Sequence, residues 1–179
     1  MKFTDVRMET YDDEALRTAF RQYFGELGCR ITNWEGLFAG MNEVGREYTW
    51  KQDDGQGGIA SFVSGLFPGE RDFTWTRRDE TGRVIGFIQC TATEMTGWFF
   101  RAKTGFVREF WVAPEYRGQG HGTALLAMAE AELAEAGCGW VLLTTVTAAD
   151  FYRRFGYEAQ PMIRARNQEP VFARQLRKE

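Results

Sequence analysis

Apolar positions change period several times along the chain, and each change marks an element. Residues 2–9 alternate as a strand does. Asp12 and Asp13 then offer N-caps, and Leu16, Phe20, Phe24 and Leu27 recur at helical spacing up to Gly28, which predicts a first helix. A second amphipathic helix is expected from Asn33, carrying Trp34, Leu37, Phe38, Met41 and Val44 on one side. The pattern weakens over 51–70, where KQDDGQGG precedes an apolar stretch broken by Gly65, Pro68 and Gly69. A surface loop with a short insert is expected there, a candidate lid over a substrate.

Strand signals dominate next. Residues 72–79 and 83–94 predict a hairpin turning at 80–82. The aromatic-rich run 98–113 reads either as one long bent strand or as a hairpin turning near Lys103–Gly105. The clearest helix runs from Gly122 to Ala136, with Leu125, Leu126, Ala129 and Leu133 inward and Glu130, Glu132 and Glu135 outward. Gly137 and Gly139 end it. A short apolar strand at 140–146, a short helix at 148–155 and a last strand at 171–176 complete the order β-α-α-β-β-β-α-β-α-β. That order predicts a single α/β domain over 1–179, with hairpins first and one strand–helix–strand crossover later. A ligand is expected where the crossover strand feeds its helix.

Composition narrows the function classes. No run approaches the ~20 apolar residues of a membrane span, and MKFTDVRMETYDDE has no apolar stretch of a signal peptide. Cys29, Cys90 and Cys138 show no CxxC spacing, so neither a disulfide framework nor a metal site is expected. They read as small buried apolar residues of a cytoplasmic protein. The net charge of -3 is uneven: residues 1–95 carry -5 and residues 96–179 carry +2. A basic second half suits an anionic ligand, and an acidic first half suits a cationic co-substrate. Nucleic acid is not an expected partner, since the pI is near 5.4 and no Lys/Arg cluster stands out.

The chemistry concentrates in EFWVAPEYRGQGHGTALL, residues 109–126. A strand stops at Pro114, and Arg117-Gly118-Gln119-Gly120-His121-Gly122 leads directly into a helix. The first turn of a helix presents N–H groups without intrahelical partners, and its dipole favours negative charge. Alternating glycines keep side chains off that turn, and Arg117 adds a permanent cation. Together they make a pyrophosphate cradle. The Walker pattern is missing its Gly-Lys-Ser/Thr, and the dinucleotide fingerprint has a different spacing.

Arg117-x-x-Gly120-x-Gly122, preceded by Val112, Pro114, Glu115 and Tyr116, resembles the Q/R-x-x-G-x-G/A signature of the GNAT acetyltransferases. A second stretch, from Ala148 through Phe151, Tyr152 and Gly156 to Tyr157, is similar to that family's A-x-x-F-Y-x-x-x-G-F/Y helix. The similarity covers roughly 83–158; residues 1–70 would be the substrate-side helices and loop. The resemblance implies a mixed central sheet with flanking helices, in which a splayed strand pair admits the pantetheine arm of acetyl-CoA. It implies that main-chain groups of Trp111, Val112 and Ala113 bond the pantetheine amides, with the Val112 amide a candidate oxyanion donor. The N–H groups from Arg117, Gly118, Gln119, Gly120, His121, Gly122 and Thr123 would hold the pyrophosphate, with Phe151 beside the cofactor. Thr145 stands where many members carry an asparagine that contacts coenzyme A.

By the same resemblance Tyr152 is the general acid for the departing thiolate. Glu109 is the candidate base, and a water chain is the alternative. Period-two alternation puts 108, 110 and 112 on one face and 109, 111 and 113 on the other, unless the strand bends. The single histidine, His121, is expected to be structural in its side chain. The activity implied is N-acetylation of a primary amine on a small molecule or peptide, with Asp53, Asp54, Glu94 and Glu109 as acidic candidates for gripping the cation. A non-catalytic acetyl-CoA sensor is the alternative reading. The resemblance also allows a homodimer.

Overall fold

The computed structural model describes residues 2–43, 72–96, 101–165 and 167–176. Val44, the 51–70 insert with Asp53 and Asp54, and the side chain of Glu94 lie outside that description. Strand β1 (Thr4–Met8) leads into helix α1 (Glu14–Glu26) and helix α2 (Trp34–Glu43). Strands β2 (Asp72–Arg78), β3 (Val84–Thr96) and β4 (Arg101–Val112) follow, then a 3-10 turn at Pro114–Tyr116 and helix α3 (His121–Glu135). Strand β5 (Trp140–Thr144), helix α4 (Ala149–Arg153), strand β6 (Glu158–Ala159) and strand β7 (Val171–Gln175) complete the fold. Among the described residues the strands form one seven-stranded sheet in the order β1-β2-β3-β4-β5-β7-β6. Its only parallel pair is β4–β5; the others are antiparallel.

Helix α1 starts where the sequence says it should. Asp13 accepts the Leu16 N–H at 2.9 Å, a capping bond of the kind worth about 1 kcal/mol. Leu16, Ala19 and Phe20 are buried, whereas Leu27, expected on the same stripe, is the helix's C-cap and is 56% exposed. Phe20 stacks on Phe87 of β3 at 4.2 Å, joining α1 and α2 to one face of the sheet. The other face packs against α3, whose Leu125, Leu126, Ala129 and Leu133 are buried as expected. Each buried leucine contributes roughly 2 kcal/mol. Glu130 and Glu132 do not point out to solvent: Glu130 accepts from Tyr157 and Arg174, and Glu132 from Trp75 and Arg7. They lie at the flanks of the buried stripe, where long carboxylates meet donors from the sheet. Cys90 and Cys138 are buried as expected, but Cys29, just beyond α1, is exposed.

Of the two readings of 98–113, the single strand is the one formed. Gly105 looks like a turn residue in sequence, yet it lies in extended β4 because Leu133 of α3 packs on it; a Cβ there would come within 2.6 Å of Leu133. The expected bend is present as a bulge. Gln89 pairs with Glu109 and Cys90 with Val107, leaving Arg108 as the extra residue. Strand β6 escapes sequence reading because it is two residues long.

Candidate active site

Strands β4 and β5 pair over Thr104–Trp140, Gly105–Val141 and Phe106–Leu142, and no further. Beyond Phe106 they separate, so the second half of β4 has an open edge. A cleft of about 540 Å³ occupies that opening, walled by Phe110, Val112, Arg117, Gly120, Phe151 and Tyr152. Trp111, Gly118, Gly122 and Thr123, all expected at the cofactor, also line it, together with Tyr116, Ala148 and Arg154.

Strand pairing decides which main-chain groups face this gap. The Ala113 N–H donates to the Ile85 carbonyl at 2.8 Å, and Gly86 is the register partner of Val112. Alternation along an antiparallel ladder then directs the N–H and C=O of Phe110 and Val112 to the open edge. Those of Trp111 and Ala113 face β3. The expectation of three consecutive donors is therefore corrected: Val112 has the required direction, Phe110 shares it, and Trp111 and Ala113 do not.

At the head of the cleft, Gly120 is the N-cap of α3 and accepts the first helical bond, from the Ala124 N–H at 3.1 Å. The amides of His121, Gly122 and Thr123 precede that bond and have no intrahelical acceptor. Gly118 and Gly120 have φ of +75° and +85°, a left-handed backbone that disfavours any Cβ. An added Cβ at either would meet no atom within 4 Å, so the backbone rather than crowding selects glycine. A bare, open turn with free N–H groups fits a diphosphate.

Around the turn, side chains do more structural work than the sequence suggested. Arg117 donates Nε–H to the Val112 carbonyl at 2.8 Å and Nη2–H to Glu26 at 2.6 Å. Glu26, at the end of α1, also accepts from Trp111 Nε1 at 2.9 Å. Gln119 is tied to the Glu115 carbonyl at 2.9 Å. The Thr145 hydroxyl accepts the Ala148 N–H at 3.0 Å, so it caps the entry to α4 and is not a wall of the cleft.

The His121 ring is buried between Phe3, at 4.5 Å, and Tyr116, at 5.8 Å, with neither nitrogen hydrogen-bonded to a described residue. Burial first, and Arg77 second, hold its pKa below the ordinary value. As pH falls through about 6.5 the unfolded chain takes up this proton before the folded one does. Stability is therefore full above that pH and is lost on acidification. In His121→Phe, denaturant midpoints measured from pH 7 to pH 5 are expected to fall less steeply than in the parent.

A family model for the acetyltransferase (GNAT) domain matches residues 70–159, half of the chain. The chain belongs to the GNAT acetyltransferase family. Solved structures share the fold. A predicted acetyltransferase with acetyl-CoA from Clostridium acetobutylicum is 12% identical, with a TM-score of 0.66, covering 92% of this chain and 95% of its own. A GNAT-family acetyltransferase from Staphylococcus aureus is 13% identical, with a TM-score of 0.62 and coverage of 97% and 100%. Glucosamine-6-phosphate N-acetyltransferase from Arabidopsis thaliana is 14% identical, with a TM-score of 0.62 and coverage of 93% and 98%. No curated protein matches the chain significantly. Among the described residues no helix is long and apolar enough to cross a membrane.

In this GNAT domain the two candidate catalytic groups lie on opposite sides of the sheet. Tyr152 packs against Phe110, Phe151 and Tyr157 on the α3 side and lines the cleft. Burial raises its pKa well above an ordinary phenol, so it remains an O–H donor across the neutral range. Glu109 faces α1, where it accepts a hydrogen bond from the Tyr23 hydroxyl. The bulge puts Arg108 on this same face, where it pairs with the buried Asp72. Alternation had placed Arg108 with Phe110; the extra residue reverses it. Burial raises the Glu109 pKa, Tyr23 and Arg108 oppose the rise, and Glu169 adds to it. Burial and the neighbouring Glu109 carboxylate raise the Tyr23 pKa, so Tyr23 stays a donor to Glu109. Tyr23 and Glu26 carry no motif that marks them in the sequence.

Proposed function

We propose that this GNAT domain transfers the acetyl group of acetyl-CoA to a primary amine. The observation that carries the reading is the gap between β4 and β5, which runs from the free first turn of α3 to the Tyr152 hydroxyl. Bound acetyl-CoA supplies an activated acyl group as a thioester. Gly120 to Thr123 fit its diphosphate, and the main-chain groups of Phe110 and Val112 fit its pantetheine amides. The Val112 N–H would stabilise negative charge developing on the acyl oxygen. Tyr152 would give its proton to the departing coenzyme A thiolate, whose conjugate thiol has an ordinary pKa near ~8.5.

The acceptor would enter from the α1 side, where Glu109 stands. An alkyl ammonium near ~10.4 must lose a proton before it attacks, and Glu109 would receive it directly or through water. Its carboxylate is the working form, so turnover rises with pH through the Glu109 pKa, which lies above the ordinary carboxylate range. Tyr23→Phe removes a donor that favours the carboxylate. The acid limb of kcat/KM is therefore expected to move to higher pH in Tyr23→Phe and to vanish in Glu109→Gln. An unmoved limb in both variants would assign the proton to another group.

The direct test is calorimetry with acetyl-CoA, expected to give micromolar affinity, followed by a primary-amine panel read as free coenzyme A. Absence of acetyl-CoA binding would overturn the reading at its root.

A further inference from the structure

The α1 side of the gap has a pocket of its own. Phe106 and Leu142 form the last β4–β5 pair before the strands part. Together with Thr144, Val171, Ile163 and Asn167 they wall a pocket of about 400 Å³. Its location follows from strand alternation. Val141 and Leu143 are buried against α3, so Leu142 and Thr144 face the other way. Phe106 faces the same way, because its neighbours Gly105 and Val107 contact the α3 side.

The chemistry of these walls is selective. None of the described residues lining the pocket is charged. Its two polar side chains are engaged with each other: Asn167 Nδ2 donates to Thr144 Oγ1 at 3.1 Å. Among the described residues lining it, none can neutralise a phosphate or carboxylate, and few donors remain for the hydroxyls of a sugar. Apolar surface is meanwhile left in water, with Phe106 36% and Ile163 46% exposed. A volume of this size is ordinary for a site that buries a small molecule.

The polar end lies beside it. Glu109 stands three residues beyond Phe106 on the same strand and, through the bulge, on the same face. Glu169 comes from the segment that also supplies Ile163 and Asn167 to the pocket wall. The Asn167 side chain accepts the Glu169 N–H at 3.1 Å, which fixes the turn carrying that second carboxylate. Arg108 lies on the same face but is paired with the buried Asp72, so the carboxylates of Glu109 and Glu169 at the edge of this apolar pocket match a cation on an apolar body.

We infer that the acceptor is a primary amine carried on an aromatic or branched aliphatic body, which fills the Phe106–Leu142–Ile163 pocket while its ammonium meets Glu109 and Glu169. This rests on the acetyl-transfer reading. It ranks amino sugars, polyamines and amines flanked by phosphate below such acceptors, because each would place polar groups against the apolar walls of Phe106, Leu142, Ile163 and Val171.

The test compares phenethylamine with ethanolamine, glucosamine and putrescine on the whole protein. Phenethylamine is expected to show kcat/KM about 100-fold above the other three, the scale on which apolar pockets discriminate. In Phe106→Ser and Ile163→Ser, both at partly exposed positions, the ratio of phenethylamine to ethanolamine should fall about tenfold. Acetyl-CoA affinity serves as the check that each variant is folded. Calorimetry of phenethylamine into coenzyme A-loaded protein reads the pocket without turnover, and Kd should weaken about tenfold in the same variants. Equal rates for ethanolamine or putrescine, or undiminished phenethylamine binding in both variants, would overturn the pocket assignment alone. Tight phenethylamine binding without coenzyme A release from any amine would leave the pocket and overturn acetyl transfer to amines.

Discussion

Tyr152→Phe is expected to lower kcat by about 100-fold while acetyl-CoA affinity stays within about threefold, a loss of roughly 2.7 kcal/mol of transition-state stabilisation. The substitution removes one oxygen and almost no packing. The ring remains between Phe110, Phe151 and Tyr157, at centroid distances of 6.3, 5.2 and 5.5 Å. Among the described residues the Tyr152 hydroxyl has no hydrogen-bond partner for phenylalanine to strand. Thermal stability should be equal or slightly higher. The proton is what goes missing. A thiol with a pKa near ~8.5 leaves less readily as an unassisted thiolate than with a proton donor beside it. Burial keeps the phenol protonated at every pH where the enzyme would work. Steady-state rates on the best amine, with calorimetric Kd for acetyl-CoA measured alongside, check this. Turnover equal to the parent would remove Tyr152 from the chemistry and leave it as a wall of the cleft.

The parts of this molecule legible in sequence are those set by local rules. Helix α3 shows its buried stripe because Leu125, Leu126, Ala129 and Leu133 follow the helical period. The glycine turn before α3 is legible because glycine at 118 and 120 answers a backbone demand that no other residue meets comfortably. What escaped depends on pairing between distant segments. Tyr23 meets Glu109 across 86 residues and Arg117 meets Glu26 across 91, and no period or motif links such partners. The bulge at Arg108 is likewise a property of two strands in register. Alternation placed Glu109, Phe110, Trp111 and Val112 on the correct faces, and failed only for the extra residue itself. Gly105 misled because close packing against a helix and a tight turn both select glycine.

These long-range contacts link the two halves of the site. Glu26, at the end of α1, binds both Trp111 on β4 and Arg117 in the turn before α3. Tyr23, one turn earlier on the same helix, binds Glu109. One helix thus holds the candidate base Glu109 and Arg117 in fixed relation, although the first lies on β4 and the second in the turn beyond its end.

Gly120→Glu is expected to weaken acetyl-CoA binding by about 100- to 1,000-fold, through two separable effects. The first is conformational: a residue with a Cβ at φ +85° is strained by roughly 1–2 kcal/mol. The second is electrostatic. A carboxylate at the N-cap of α3 would stand about 4–5 Å from a diphosphate seated on the following amides. Like charges at that distance repel by about 3–4 kcal/mol at an effective dielectric of ~20. The space around Gly120 is open, with no atom within 4 Å of an added Cβ, so the larger side chain does not clash with the fold. Gly120→Ala separates the effects, since it carries the strain without the charge. It should lose about 1 kcal/mol of stability and less than tenfold in affinity. Calorimetry on both variants over a range of salt completes the test. The glutamate variant should partly recover as salt rises, because part of its loss is Coulombic. Equal affinity in Gly120→Glu and the parent would mean that the first turn of α3 does not hold the diphosphate.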